Sequence, residues 1–145
     1  MVTLEQINRD NFFDIINLSV TEEQENFVAS NTFSLAQAKA QPECVPLAVY
    51  HDKHPVGFVM YCMDLEDKEY WIYRLMIDKA HQGKGYGRMA MQQVLSILEQ
   101  DTAHSIVYLS FEPENLVAQK LYESLGFRPD GRTIHGETVY CLRYR

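Results

Sequence analysis

Residues 70–91 read YWIYRLMIDKAHQGKGYGRMAM, an apolar strand and a short turn followed by a glycine-rich segment that opens an amphipathic helix. Three glycines between positions 83 and 87 let the backbone turn inward, so that successive N–H groups can point at one centre. The helix that begins there adds the positive end of its dipole to the same point. Lys84 and Arg88 can neutralise further negative charge. The segment therefore predicts an anion site that suits a pyrophosphate, and a plain glycine-rich turn is the alternative.

The same glycines also fit a dinucleotide-binding fingerprint, because residues 85–90 read GYGRMA and Glu112 follows about twenty residues later. Two features oppose that interpretation. The strands before the loop have the pattern of an antiparallel meander, and only about 55 residues follow it, too few for the second half of a doubly wound sheet. No G-x-x-x-x-G-K-[ST] sequence occurs, which excludes a Walker-type phosphate loop.

The length and composition fit one globular domain over residues 1–145. A chain of this length buries roughly 70% of its unfolded surface, which is enough for a single core. Its contents of 46% hydrophobic and 23% charged residues are ordinary for such a domain. The formal net charge of −7 argues against a nucleic-acid partner and suits a cationic one.

The cysteines and the N-terminus indicate a cytoplasmic protein without a structural metal. Cys44, Cys62 and Cys141 form no C-x-x-C pair, and the histidines show no ligand spacing. We expect Cys62 and Cys141 to be buried within strands. No basic leader is visible, and no apolar run approaches the roughly 20 residues that a membrane span needs.

Hydrophobic periodicity predicts the element order βααβββαβαββ, a mixed sheet with helices on its faces. The predicted strands are Val2–Ile7, Pro46–His51, Pro55–Met63, Tyr70–Ile77, Ile106–Phe111, 127–130 and 137–144, with turns at Asp52-Lys53-His54 and His135-Gly136. Four helices are predicted. The first is capped by Asp10 and has Phe12, Phe13, Ile15 and Ile16 on its apolar face, and the second is capped by Ser34 and ends at Ala40. The other two are Gly85–Gln100 and Leu116–Leu125. Residues 19–33 follow neither period.

A second informative segment covers residues 115–127, NLVAQKLYESLGF. Leu121 and Leu125 lie one turn apart on a helix, so their face belongs to the core. Asn115 is placed to cap this helix, either as a plain cap or with its amide also turned toward a ligand. Tyr122 either packs half-buried or brings its hydroxyl out at the edge of the sheet.

Together the two segments resemble the GNAT superfamily of acetyl-CoA-dependent N-acetyltransferases. The pattern Q-x-x-G-x-G reads Gln82–Gly87, and N-x-x-A-x-x-L-Y-x-x-x-G-F reads Asn115–Phe127. The stretch W-x-x-R-x-x-I-D at Trp71–Asp78 and the segment QENFVASNTFSLAQA at 24–38 further resemble bacterial spermine/spermidine (diamine) acetyltransferases. The resemblance implies a single α/β (α+β) domain, with a mostly antiparallel mixed sheet, helices on both faces and a V-shaped splay between the central strands.

The resemblance also implies acetyl-CoA as cosubstrate and suggests which residues hold it. The pyrophosphate is expected on the backbone N–H groups of Gln82, Gly83, Lys84, Gly85, Tyr86, Gly87 and Arg88. The pantetheine arm is expected to pair with the main chain of Leu75, Met76 and Ile77 as if it were an added strand. Asn115 is expected at the pantetheine amides, and Lys120 near the nucleotide phosphate.

The implied chemistry is direct attack of an amine on the thioester. The N–H near Leu75 would stabilise the developing oxyanion, and Tyr122 would protonate the departing thiolate. The base remains open between two acidic groups, each of which is otherwise a solvated face: Glu22, Glu23 and Glu25 in one, and Asp64, Glu66, Asp67 and Glu69 in the other. In the diamine subgroup an acidic residue often stands where this chain has Tyr73, which we expect to line the substrate tunnel.

The sequence is compatible with several acceptor amines and with one other class of protein. A small cationic amine, most simply spermidine, spermine or a diamine, is the first expectation. An aminoglycoside, an amino acid or a protein N-terminus is the alternative within the family. A non-catalytic acyl-CoA sensor is the alternative outside it. The resemblance also allows a homodimer, with contacts through an exposed Trp71 or the closing hairpin.

Overall fold

The computed structural model describes residues 1–145 and contains a seven-stranded sheet with the order β1-β2-β3-β4-β5-β7-β6. All neighbouring strands are antiparallel except β4 and β5. The strands are β1 (Val2–Gln6), β2 (Cys44–His51), β3 (His54–Met63), β4 (Tyr70–Ile77), β5 (Ile106–Phe111), β6 (Arg128–Ile134) and β7 (Glu137–Arg143). The helices are α1 (Phe12–Ile16), α2 (Asn31–Ala40), α3 (Tyr86–Glu99) and α4 (Leu116–Ser124), and short 3-10 turns cover Glu22–Gln24 and Lys79–His81.

Helices cover both faces of the sheet, as predicted. On one face α3 and α4 pack on a core that contains Met91, Leu98 and Phe127. On the other face α1 and α2 pack on a smaller core that contains Phe58 and Met60. The order of elements and the mixed sheet confirm the predicted fold class.

The two central strands separate soon after they meet. Parallel pairing joins Tyr70–Ile72 to Val107–Leu109 and then stops, so residues 73–77 of β4 pair only with β3. The β3–β4 register shifts so that Met60 faces Arg74 while Tyr61 faces Ile72, which leaves Tyr73 as a bulged residue. Because a bulge bends its strand and increases the local twist, it directs β4 away from β5. The predicted V-shaped splay is present.

Both predicted hairpin turns are confirmed. Asp52 and Lys53 join β2 to β3, with Asp52 at a φ of 57°. His135 and Gly136 join β6 to β7 with φ angles of 50° and 81°. The His135-Gly136 turn therefore has positive φ at both central residues, the geometry that matches the twist of the flanking strands.

Two helix starts differ from the prediction. Helix α2 is capped by Ser30, whose Oγ accepts from the Phe33 N–H at 3.1 Å, and not by Ser34. Ser34 is fully buried inside the helix, because the Asn31 amide donates to the Ile15 carbonyl and anchors an additional turn. Helix α1 has Asn11 rather than Asp10 at its N-cap position, and the Asn11 side chain makes no capping hydrogen bond.

The burial of three apolar side chains also departs from the sequence analysis. With a single turn, α1 buries only Ile15, so Phe13 is 67% exposed instead of facing the core. Trp71 is buried rather than exposed, because its indole stacks on Tyr108. Cys62 is buried as expected, whereas Cys141 is only half-buried. No helix is long and apolar enough to cross a membrane.

Candidate active site

An open groove of about 1600 Å³ lies where β4 and β5 separate. Its lining includes the glycine-rich loop, the start of α4, the segment before α2 and the β3–β4 turn. The groove therefore joins the predicted anion site to the predicted acceptor side in one continuous space.

The loop before α3 leaves its backbone donors free. From Gln82 to Arg88, no backbone N–H donates a hydrogen bond within the protein, and the first helical bond runs from Met89 to Gly85. Gly83 and Gly85 adopt φ angles of 79° and 83°, the left-handed region that side chains with a Cβ rarely tolerate. A row of free N–H groups at a helix start suits a phosphate. The residues present therefore fit a pyrophosphate.

Side chains around the loop fix its position. The Gln82 amide donates to the Ile77 carbonyl at 2.9 Å and to Gln24 Oε1 at 2.8 Å, which ties the loop to β4 and to the 3-10 turn before α2. The Tyr86 ring lies in the core against His51, so only its backbone is available to a ligand. Arg88 is exposed, lines the groove and donates to Ser124 Oγ of α4.

The second half of β4 forms one wall of the groove. Its backbone edge that faces β5 has no strand partner after Ile72. The Leu75 and Ile77 side chains pack on the α3 side, and Met76 packs on the α2 side. All three residues line the groove. An extended ligand could therefore pair with this edge.

Helix α4 brings a cap and a buried phenol to the same place. Asn115 caps the helix, since its Oδ1 accepts from the Ala118 N–H at 3.2 Å, and the residue lines the groove. Tyr122 also lines the groove although it is only 9% exposed, with its ring packed against Phe111 and Phe127. Burial raises the pKa of Tyr122 above the ordinary value of 10.0, so the phenol is protonated at neutral pH.

The lining of the groove is rich in acidic side chains. Its carboxylates are Glu25, Glu43, Asp64, Glu66, Asp67 and Glu137. The Tyr73 hydroxyl donates to Asp64 Oδ2 at 3.2 Å. Burial raises the pKa of Tyr73 well above its usual range, and the neighbouring Cys62 and Asp64 add to the shift. Tyr73 is therefore a neutral donor that orients Asp64.

One cation stands among these carboxylates without an ion-pair partner. The Arg74 guanidinium donates to the Tyr73 carbonyl and to Gln37 Oε1, both at 2.9 Å, and lies over the Phe33 ring. Its Nε is buried and has no partner. Burial lowers the pKa of Arg74, with partial compensation from Cys44 and Glu137.

The structure places most, but not all, of the sequence-predicted residues along this groove. Lys84, Lys120 and Glu22 are exposed and lie outside its lining, as do Glu23 and Glu69. Sequence reasoning missed Glu43, Arg74, Ser110, Arg132 and Glu137, which line it. The arginine did stand in the quoted W-x-x-R stretch, but the others carry no local signal. No cluster of His, Cys, Asp or Glu with the geometry of a metal site is present.

Known proteins resemble this chain over nearly its whole length. A probable spermine N(1)-acetyltransferase of Bacillus subtilis subsp. natto is 29% identical, with 95% of both chains covered. The spermine/spermidine N(1)-acetyltransferase of Bacillus subtilis is 28% identical with the same coverage. A spermidine N-acetyltransferase from Vibrio cholerae, solved in complex with CoA and spermine, is 21% identical, with a TM-score of 0.75 and coverage of 99% of this chain and 95% of that one. At that identity, the last comparison supports the fold alone.

The family match brings the loop, the splay and the buried phenol together. Residues 3–127 match the model of the acetyltransferase (GNAT) family, a range that contains the free N–H groups of the loop and the open edge of β4. The chain therefore belongs to the acetyltransferase (GNAT) family and is an acetyl-CoA-dependent N-acetyltransferase.

Proposed function

We propose that the enzyme acetylates a primary amine of a polyamine, namely spermidine, spermine or a related diamine. The observation that carries the proposal is the set of carboxylates that line the groove. Several negative groups along an open channel suit a flexible chain with several ammonium groups better than a neutral or anionic acceptor. The names of the two Bacillus relatives agree with this choice.

In this proposal, different residues bind the different parts of acetyl-CoA. The free N–H groups from Gln82 to Arg88 hold the pyrophosphate, and the edge of β4 at Leu75, Met76 and Ile77 pairs with the pantetheine amides. Asn115 binds those amides with its side-chain nitrogen, since its oxygen is used as a cap. Lys84 and Lys120 approach the nucleotide phosphates from the solvent side.

The chemical step needs an oxyanion donor, an acid and a free amine. The N–H near Leu75 stabilises the developing negative charge, and Tyr122 gives its proton to the departing sulfur. An alkyl amine with a pKa near 10.4 is neutral in only about one molecule in 2,500 at pH 7, which costs roughly 4.6 kcal/mol. The acceptor end must therefore bind an ammonium and remove its proton.

Acceptor recognition falls to the acidic side chains of the groove. Asp64, held by the Tyr73 hydroxyl, faces the acceptor from β4 and the β3–β4 turn. Glu25 also lines the groove, and the neighbouring Glu22 adds charge from outside the lining. Several carboxylates along one groove suit an acceptor whose positive charges are spaced along a chain.

A panel of acceptors tests the proposal. Thiol release from acetyl-CoA should give a higher kcat/KM with spermidine, spermine or a diamine than with kanamycin, free amino acids or a peptide N-terminus. Glu25→Gln should raise the polyamine KM more than Glu22→Gln, because only Glu25 lines the groove. Better turnover of unrelated primary amines at equal concentration would overturn the polyamine assignment. Acetyl-CoA binding without turnover of any amine would instead favour a sensor.

A further inference from the structure

Glu137 occupies a fixed position at the opening of the groove. It is the first residue of β7, and the two-residue turn at His135 and Gly136 sets its register opposite Ile134. A two-residue hairpin with positive φ at both positions leaves little freedom in that register. The carboxylate therefore belongs to the rigid sheet rather than to a mobile loop.

A single hydrogen bond orients this carboxylate from the neighbouring strand. The Ser110 hydroxyl of β5 donates to Glu137 Oε1 at 2.6 Å. Ser110 directly follows Leu109, the last residue of β5 that pairs with β4. The Glu137 carboxylate thus stands where the V opens, with Oε2 left without a hydrogen bond.

The wall across the opening carries a positive charge. Arg74 of β4 lies close enough for Glu137 to affect its pKa, yet no ion pair forms between the two side chains. The Arg74 donors are directed to the Tyr73 carbonyl and to Gln37 instead. Glu137 therefore lines the groove without an ion-pair partner.

The other carboxylates of the groove are less suited to act on the reacting nitrogen. Asp64 already accepts from the Tyr73 hydroxyl and from the backbone N–H groups of Glu66 and Asp67, so both of its oxygens have donors within the protein. Asp67 is held by the Trp71 indole at 2.9 Å. Glu25 and Glu66 are exposed at the rim. Glu43 precedes β2, which β3 and β4 separate from the splay. Glu137 is the lining carboxylate on a strand next to β5, and it keeps one oxygen without a hydrogen bond.

We propose that Glu137 binds the reactive ammonium of the acceptor and takes the proton that it must lose, with Ser110 as a positioning residue. The proposal deepens the proposed function but rests only on acetyl transfer to an amine, whichever amine that is. It gives the base to β7, on the β5 side of the splay, and not to the bulged position on β4 where Tyr73 stands.

The protons balance in this scheme. One N–H bond of the ammonium breaks and its proton passes to Glu137 Oε2, which later releases it to solvent. The neutral nitrogen then attacks the thioester carbon, a C–N bond forms and the C–S bond breaks. Tyr122 protonates the sulfur, and the second proton lost by nitrogen replaces the one that Tyr122 gave. The net reaction consumes an ammonium and acetyl-CoA and yields the amide, CoA thiol and one proton.

The pH dependence of the rate separates this role from simple binding. The other titratable groups that line this part of the groove are Tyr73 and Arg74 of β4, Tyr122 of α4, and Arg132 and His135 of the β6–β7 hairpin. In the wild type, the ammonium and an ionised Glu137 form the active state, so kcat/KM should be flat from about pH 7 to 9. Glu137→Gln must take the neutral amine from solution, so its kcat/KM should rise about tenfold per pH unit.

The experiment compares kcat and KM of the two proteins from pH 7 to 10, with the best amine of the panel and with a simple monoamine. We expect Glu137→Gln to lose about 100-fold or more in kcat/KM at pH 7 with both amines, and to approach the wild type near pH 10. Glu137→Asp should recover part of the loss, and Ser110→Ala should show a smaller loss of the same pH form. Glu5→Gln, an exposed change on the far strand β1, is the control and should match the wild type.

Three results would overturn the assignment. The first is a ratio of kcat/KM between variant and wild type that stays constant at every pH. The second is a loss seen only with polyamines, which would mean that Glu137 binds an ammonium distant from the reacting one. The third is a change in KM alone. Acetyl-CoA affinity by calorimetry verifies that each variant is folded, and Ser110→Ala keeps the test open should Glu137→Gln fail to fold. If the polyamine assignment fails, another amine of the panel will have the highest kcat/KM. The rise of kcat/KM with pH in Glu137→Gln should still be seen with that amine.

Discussion

At the scale of single residues, the Tyr122 phenol combines burial with access to the groove. Its ring packs between Phe111 and Phe127, and burial raises its pKa. A group whose pKa lies above 10 is protonated throughout the working range, so it enters the reaction as a proton donor and is readily reprotonated afterwards. This is the state that a thiolate leaving group requires.

Tyr122→Phe should lower kcat about 10- to 100-fold with little change in the KM for acetyl-CoA. The ring keeps its packing, so only the proton donor is lost. The effect stays moderate because a thiolate with a pKa near 8.5 is already a fair leaving group. Steady-state kinetics from pH 6 to 9 measure it, and an unchanged kcat over that range would show that the acid role is wrong.

At the scale of elements, the open edge of β4 depends on a close approach of its other edge to β3. Gly57 lies opposite Ile77, and a Cβ there would meet the Met76 carbonyl oxygen at 2.4 Å. No side chain fits such a contact without moving the β4 backbone. The β4 edge proposed to pair with the cosubstrate therefore keeps its position only because Gly57 of β3 has no side chain.

Gly57→Ala should cost about 1–3 kcal/mol of stability and raise the KM for acetyl-CoA, because the displaced atoms belong to β4 itself. Denaturant unfolding and initial rates measure the two effects. Gly131→Ala is the control for stability alone, since Gly131 has a φ of 94° but no atom near the added Cβ. A variant at position 57 that loses stability yet binds acetyl-CoA normally would contradict the predicted displacement of β4.

At the scale of the whole molecule, the sequence predicted what local patterns determine. The meander, the loop at Gly83–Gly87 and the order of the helices follow from hydrophobic periodicity and turn residues. The choice between Ser30 and Ser34 as a cap depended on a long-range bond from Asn31 to Ile15, which no local pattern encodes.

The acidic lining of the groove was predictable only in part for the same reason. Asp64 and Glu25 stand near segments that the sequence already marked. Glu137 meets Ser110 across 27 residues of chain, and only the register of β5 with β7 brings them together. A missed base of this kind is expected wherever a site is assembled from paired strands rather than from one motif.

Cosubstrate binding should stabilise the entire domain. At 100 times its dissociation constant, acetyl-CoA adds about 2.7 kcal/mol, which should raise Tm by roughly 5–10 °C. Gly85→Ala should abolish most of that shift, because Gly85 has a φ of 83° and the loop must rearrange to accept a Cβ. Thermal unfolding with and without acetyl-CoA measures both values. No shift for the folded wild type would contradict the anion site itself.

The short contact between the central strands has a mechanical consequence. Only Tyr70–Ile72 and Val107–Leu109 fasten the β1–β4 ladder to the β5–β7 ladder directly. Along the rest of their length β4 and β5 diverge. An extended amide chain bound between them would supply backbone hydrogen bonds that the two strands do not make with each other. If acetyl-CoA pairs with β4 as proposed, we expect the enzyme to be more rigid with its acyl donor bound than after CoA has left.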